Sequence, residues 1–275
     1  MGAAMARSLA REGHDVSIWN RTPERAQAAA GDRIVPAASV AEAVSGADAV
    51  VTMLFDAESV LAVTDELVGA LRDDAVWVQS STIGPAGIRR VAEAAGPASR
   101  RLLDAPVLGT RQPAEGGQLV VLASGPASAR EAAEPVLVAV GGRTVVAGEE
   151  VGPASALKLA ANSWVAMLTA AAAQGLGLAE SLGVDPALLL EAVGGGGADS
   201  PYLQLKGRMM IDRNWATPSF AVGGVLKDVG LMIDAAREAR FPDALLVSVH
   251  ELFQAASRAG VDSADMAAVR VAFDR

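Results

Sequence analysis

Between Val16 and Ala147 short β-rich runs alternate with helical stretches, and after about Glu149 the strands stop. That switch constrains the fold more than any single motif. The β-rich runs are Val16–Asn20, Ala49–Leu54, Ala75–Gln79, Arg101–Val107, Gln118–Ser124 and Thr144–Ala147. Helical patterns separate them: one opening at Pro23, then Glu58–Leu71, Pro85–Ala95 and Pro126–Val140. Strands alternating with helices of this length mean βαβ units and a parallel sheet covered on both faces. The unbroken apolar run Ala49–Leu54 fits a strand buried on both sides. Beyond Glu149 the pattern is helical throughout. One long helix covers Leu157–Leu182, and Asp185–Val193 follows, with Asp185 as N-cap and Pro186 at the first helical position. Four glycines, Gly194–Gly197, make a flexible break before Tyr202–Ile211, Val222–Arg240 and Ala244–Ala259. The sequence predicts an α/β domain over 1–148 and an all-α domain over 149–275, with the long helix (152–182) joining them.

Composition removes several classes of function. Of 275 residues, 51% are apolar and 20% charged, enough for a large core and far from disorder. Lys plus Arg is 23 and Asp plus Glu 32, a net charge of −9, which repels nucleic-acid phosphates in the absence of a basic patch. With no cysteine there is no disulfide or thiolate chemistry, and with only His14 and His250 a zinc site is not expected. Arg7, Arg11, Glu12 and Asp15 break up any apolar run of signal-peptide length. The most membrane-like stretch, Leu157–Leu182, carries Lys158, Asn162, Gln174 and Glu180, so it reads as a buried helix of a cytoplasmic protein.

The amino terminus is unusual. Residues 1–14 already read as a helix, and the strand Val16–Asn20 follows at once. A doubly wound nucleotide-binding fold opens instead with a buried strand and a Gly-rich turn. Gly2 has the place of the third glycine in such a turn. The end of the next strand reads Asn20-Arg21-Thr22. An acid there would accept from the 2′-hydroxyl of NAD, whereas an Arg suits the 2′-phosphate of NADP. A solvated Arg and a turn Asn remain the plain alternative.

Lys158 and Asn162 are four residues apart, so they share one face of the long helix. Such a Lys either snorkels at the edge of the apolar surface or is held in a cleft, where desolvation suits it to give a proton to a developing alkoxide. Ser81-Thr82 follows the strand Ala75–Gln79 at its carboxyl end, the side on which open α/β sheets bind ligands. Asp104-Ala105-Pro106-Val107-Leu108-Gly109-Thr110 is a second strand end, running into a loop whose backbone N–H groups suit a carboxylate. Lys227-Asp228 lies on a later helix, either at the site or as a solvent-facing pair of little energetic weight.

Together these residues resemble the β-hydroxyacid dehydrogenases, the family of 3-hydroxyisobutyrate dehydrogenase, tartronate semialdehyde reductase and the glyoxylate/succinic semialdehyde reductases. Met1-Gly2 resembles the end of the family's G-x-G-x-M-G turn, and Val50–Asp56 its Val-x-x-Met-Leu-x-Asp strand. Ser81-Thr82-Ile83-Gly84-Pro85 and Asp104-Ala105-Pro106-Val107 with Gly109 resemble its two loops. Val151-Gly152 with Lys158 and Asn162 resembles its catalytic helix, and Phe220 with Lys227-Asp228 its later element. The stretch 109–119 and Asn20-Arg21-Thr22 most resemble the glyoxylate/succinic semialdehyde reductase branch, in which the latter goes with NADPH.

The resemblance implies a Rossmann-type doubly wound domain followed by an all-α domain, assembled as a homodimer or homotetramer. It implies an NADP-preferring enzyme, with NAD as the other candidate, moving hydride to or from a small hydroxy acid, oxo acid or semialdehyde. Lys158 would be the proton donor and Asn162 would orient it or the substrate. Leu108, Gly109, Thr110 and Lys227 would contact substrate. Met1, Gly2, Asn20, Arg21, Thr22, Met53, Leu54, Thr82, Lys227 and Asp228 would bind the cofactor. No metal is implied.

The departures from the family's pattern are specific. Its first strand and first two glycines do not appear, as though the start lay about ten residues late in the unit. Leu108 stands in place of a common Ser, with Thr110 as the available hydroxyl, Pro153-Ala154 in place of the second glycine of the helix motif, and Gln79 in place of a common Asp. Two other readings stay open: an imine reductase, to which Leu108 points and against which Lys158 argues, and a non-catalytic dehydrogenase-like dimer.

Overall fold

The computed structural model describes residues 1–274. The chain divides into two compact units, Met1–Lys158 and a second that begins at Leu159.

The first unit opens with helix α1 (Gly2–Arg11) and a parallel pair, β1 (Val16–Ile18) and β2 (Ile34–Pro36), joined through α2 (Pro23–Gln27). Helix α3 (Val40–Val44) is started by Ser39, whose side chain accepts from the Glu42 N–H while Glu42 accepts from the Ala38 N–H. Then come β3 (Ala49–Thr52), α4 (Ala57–Ala70), β4 (Val76–Gln79), α5 (Gly84–Ala95), β5 (Leu102–Asp104), β6 (Val107–Leu108), α6 (Arg111–Glu115), β7 (Leu119–Ser124), α7 (Ala127–Val140) and β8 (Gly141–Gly148).

Strands β3, β4 and β5 run parallel, as the alternation predicts. The rest of the sheet corrects that reading. The run Arg101–Val107 is two strands broken before Pro106, and both β5 and β6 pair with β7 antiparallel, while β8 returns parallel to β7. The sheet is therefore mixed. Among the described residues β1 pairs only with β2 and β3 only with β4, so the two-stranded and six-stranded sheets each keep an open edge.

Helices cover both faces of the large sheet, and the strands show it residue by residue. Val76 and Val78 pack with Ala4 and Met5 of α1 and Ala133 and Leu137 of α7. Trp77 points the other way, into a core with Val60 and Leu67 of α4 and Ile88 and Val91 of α5. Leu102 and Leu103 alternate in the same sense on β5. Strict period-two alternation of apolar residues on both faces produces the continuous apolar runs of the sequence.

Beyond the strands are α8 (Pro153–Ser181), α9 (Ala187–Val193), α10 (Pro201–Ile211), α11 (Val222–Glu238) and α12 (Ala244–Ala256), then a 3-10 segment, Met266–Phe273. Asp185 does help start α9, accepting from the Ala187 N–H at 2.9 Å, but Pro186 itself occupies the cap position. Helix α8 is long and apolar enough to cross a membrane by length and composition. Its apolar residues instead build a core: Ala166, Ala170, Ala173 and Leu176 pack with Val225 and Val229 of α11 and Phe253 of α12.

Inside this second unit one ion pair is fully enclosed. Lys206 Nζ lies 2.6 Å from Asp265 Oδ1, with side chains 4% and 0% exposed. Asp265 also accepts from the Ser219 N–H and hydroxyl and from the Ala267 N–H. Burial pushes its carboxyl up, but the bonds from Lys206, Ser219 and Ala267 outweigh that and hold it below the usual carboxylate range.

Candidate active site

The predicted residues lie at strand ends and on three helices, α1, α8 and α11. In the first unit, Met53 and Leu54 follow β3, and Ser81 and Thr82 follow β4, at the carboxyl ends where such sheets bind ligands. A buried polar network ties these two loops together. Gln79 Oε1 accepts from the Ser81 N–H at 2.8 Å while its Nε2 donates to Ser81 O at 3.0 Å, closing the turn on itself. Ser81 Oγ then accepts from the Leu54 N–H at 2.8 Å. Only an amide both donates and accepts in this way, which gives Gln79 its physical reason in place of an acid.

Gly109 follows β6 with φ +121°, and a Cβ there would stand 2.8 Å from Leu119 Cδ2, so the loop requires glycine. Leu108 and Thr110 flank it, both half-buried, with Thr110 capping α6 without a side-chain bond.

The start of α1 and the turn after β1 hold the predicted cofactor residues. Asn20 Oδ1 accepts from the Thr22 N–H at 2.9 Å, which shapes the turn into α2, and Arg21 is exposed beside it. A cavity of about 370 Å³ opens at the first turn of α1, lined by Met1, Arg7, Arg25 and Arg111 among others. Arg7 and Arg111 each reach Glu115, at 3.5 and 2.8 Å. Guanidinium groups from three helices beside a helix N-terminus form the donor set that a phosphate-bearing ligand needs, so the residues present fit a dinucleotide. The sequence reading did not pick out Arg7, Arg25 and Arg111, because nothing in their spacing shows that they meet.

Lys158 and Asn162 lie on α8, both 9% exposed. Asn162 Nδ2 donates to Asp228 Oδ2 at 2.6 Å, and Lys227 Nζ lies 2.7 Å from Asp228 Oδ1. Asp228 is 3% exposed. The carboxylate is thus turned to Asn162 and Lys227, and the Lys227-Asp228 pair is not a solvent-facing one.

Residues 1–148 match the NAD-binding domain of 6-phosphogluconate dehydrogenase, and residues 152–272 match the NAD-binding domain of NADP-dependent 3-hydroxyisobutyrate dehydrogenase. The chain belongs to the 3-hydroxyisobutyrate dehydrogenase family of β-hydroxyacid dehydrogenases. It is 31% identical over 272 residues to glyoxylate/succinic semialdehyde reductase 2 of Arabidopsis thaliana, covering 98% of this chain and 75% of that one. It is 32% identical over 272 residues to L-threonate dehydrogenase of Cupriavidus necator, covering 98% and 91%. The 3-hydroxyisobutyrate dehydrogenase of Mycobacterium tuberculosis superposes with a TM-score of 0.89 at 27% identity, over 100% of this chain and 96% of that one. The protein is an NAD(P)-dependent hydroxyacid dehydrogenase, and these relatives favour neither an imine reductase nor a non-catalytic dimer.

Proposed function

We propose that this hydroxyacid dehydrogenase is an NADP-preferring reductase of a small 2- or 3-oxo acid or semialdehyde. The observation that carries the reading is a lysine enclosed on a mainly apolar helix, one turn before an asparagine locked by a buried carboxylate. A nicotinamide dinucleotide, when bound, supplies the hydride. Met1, Gly2, Asn20, Arg21, Thr22, Met53, Leu54 and Thr82 would hold it, with Arg21 and the absence of an acid after β1 favouring the 2′-phosphate.

The chain's own groups do the rest. Lys158 Nζ gives a proton to the carbonyl oxygen of the substrate as that oxygen gains charge, so no free alkoxide forms. Asn162 directs its remaining polar atom at substrate or at Lys158, because Asp228 fixes its amide. Lys227 approaches the substrate from α11, held by the same Asp228, which acts through its two neighbours. The loop Leu108-Gly109-Thr110 takes the carboxylate on its N–H groups and the Thr110 hydroxyl.

Initial rates with NADPH and NADH over glyoxylate, succinic semialdehyde and other short oxo acids, with a cyclic imine as control, test the reading. It predicts turnover of one of the short acids or semialdehydes, faster with NADPH. Turnover of the imine alone, or a preference for NADH, contradicts it.

We also infer a homodimer or homotetramer formed through the helices of a soluble, cytoplasmic enzyme. Trp164 and Leu178 of α8 and Leu182 beyond it are 65%, 55% and 71% exposed, an apolar surface that a second copy would cover. Sedimentation reads this directly, and a monomer at micromolar concentration refutes it.

A further inference from the structure

We propose that Asp104 is a positioning residue for Lys158: a clamp at the end of β5 that fixes the height and rotation of the helix start carrying the proton donor. This rests on Lys158 being that donor.

A helix leaves its first N–H groups without partners inside the helix. At the start of α8 they are taken by two strand ends. Asp104 Oδ2 accepts from the N–H of Gly152 at 3.0 Å and of Ser155 at 2.8 Å, and Asp104 Oδ1 accepts from Ser155 Oγ at 2.7 Å. Ser124 Oγ accepts from the Ala154 N–H at 2.9 Å and sits 3.4 Å from Asp104 Oδ2. Asp104 and Ser124 are themselves paired across β5 and β7. Both are fully buried and Ser155 nearly so. The sheet therefore grips the helix start at three backbone positions, Gly152, Ala154 and Ser155, and at the Ser155 side chain.

The grip has the form of a device for placement rather than for stability. All the donors that reach Asp104 in this set are uncharged, and burial pushes its carboxyl up despite the bonds from Ser155, Gly152 and Ser124. A buried anion that is costly to ionise is a poor choice for stability alone. It is a good choice for rigid geometry, because ionised acceptors make shorter and stronger bonds and favour a helix N-terminus. Lys158 lies three residues past Ser155, on the same side and about 4.5 Å further along the axis. A rotation of about 10° at the clamp moves an atom about 8 Å from the axis by about 1.4 Å, and a displacement of about 1 Å at a reacting group costs about 100-fold in rate.

The test uses the full-length chain, NADPH and the best carbonyl substrate of the panel above. Asp104→Asn is expected to lower kcat by about 10- to 100-fold, with KM and the NADPH Kd changing less than about threefold. Amide hydrogen exchange should speed up at Gly152 and Ser155. Ser155→Ala, which removes only the side-chain bond, should lower kcat several-fold and is the milder variant should Asp104→Asn fail to fold.

The deciding arm is the double variant Asp104→Asn/Lys158→Ala. A residue that acts only through Lys158 adds nothing to its loss, so the double variant should be as slow as Lys158→Ala and no slower. A further loss in the double variant marks a general structural role and overturns the proposal. So does an unchanged kcat in Asp104→Asn, or in Ser155→Ala if that is the variant that folds. A Lys158→Ala enzyme that keeps its kcat sinks the proton-donor reading itself, and that result is seen before any Asp104 variant is made.

Discussion

Replacing Asp228 by Asn keeps the shape of the side chain and removes its charge from the centre of the Asn162–Asp228–Lys227 arrangement. In the native protein Oδ2 accepts from Asn162 Nδ2 at 2.6 Å, while Oδ1 is ion-paired with Lys227 Nζ at 2.7 Å and has no hydrogen-bond partner among the described residues. An amide has one oxygen, so in Asp228→Asn one of these two donors must face an NH₂ group instead. A hydrogen bond to a charged group is worth about 1.5–3 kcal/mol, and the site is almost closed to water, so solvent replaces little of it. Expressed through transition-state positioning, that range is about a 10- to 150-fold fall in kcat/KM. Steady-state kinetics at saturating NADPH measure it, and calorimetry of the same samples shows whether the fold survives. Asp228→Asn within threefold of wild type would refute the reasoning, since it would mean that neither Asn162 nor Lys227 needs the carboxylate.

Two further perturbations probe the frame. Lys206→Met leaves the Asp265 carboxylate enclosed without its cation, a change that costs about 3–5 kcal/mol and lowers Tm by about 6–20 °C at neutral pH. Because the folded Asp265 carboxyl lies below its ordinary value, the native pair's contribution is complete above about pH 4 and fades as pH falls through the folded value, so the gap between variant and wild type narrows in acid. A gap that stays constant or widens there contradicts this. Gly109→Ala forces a Cβ onto Leu119 at a positive φ, with strain of about 1–3 kcal/mol, and should lower Tm by several degrees and raise KM for the carboxylate substrate. Unchanged Tm and KM would show that the loop relaxes freely.

Most of the fold was legible because period and length carry it. Ala75–Gln79 shows as a strand and Leu157–Leu182 as a long buried helix, and they are β4 and most of α8 in the structure. Strand direction was not legible: Leu119–Ser124 has the same pattern whichever way its neighbours run, so the antiparallel pairing with β5 and β6 was missed. β2 and α3 were missed because Ile34–Pro36 and Val40–Val44 are too short for a period to show. At the site, Lys158 and Asn162 stand out through one-turn spacing. The anchors do not. Asp104 meets Ser155 across 51 residues and Asp228 meets Asn162 across 66, and no local pattern encodes such meetings. Gln79 read as a departure from the family pattern, yet it closes the turn that places Ser81.

The central claim is that the amine of Lys158 supplies the proton in carbonyl reduction. Single-turnover reduction by Lys158→Ala, followed by loss of NADPH absorbance and paired with a fluorescence titration of NADPH, tests it most directly. The account predicts that the dinucleotide binds as tightly as in wild type while turnover falls by about 100-fold or more, the scale of a lost general acid. Turnover within a few-fold of wild type at full NADPH occupancy would contradict it.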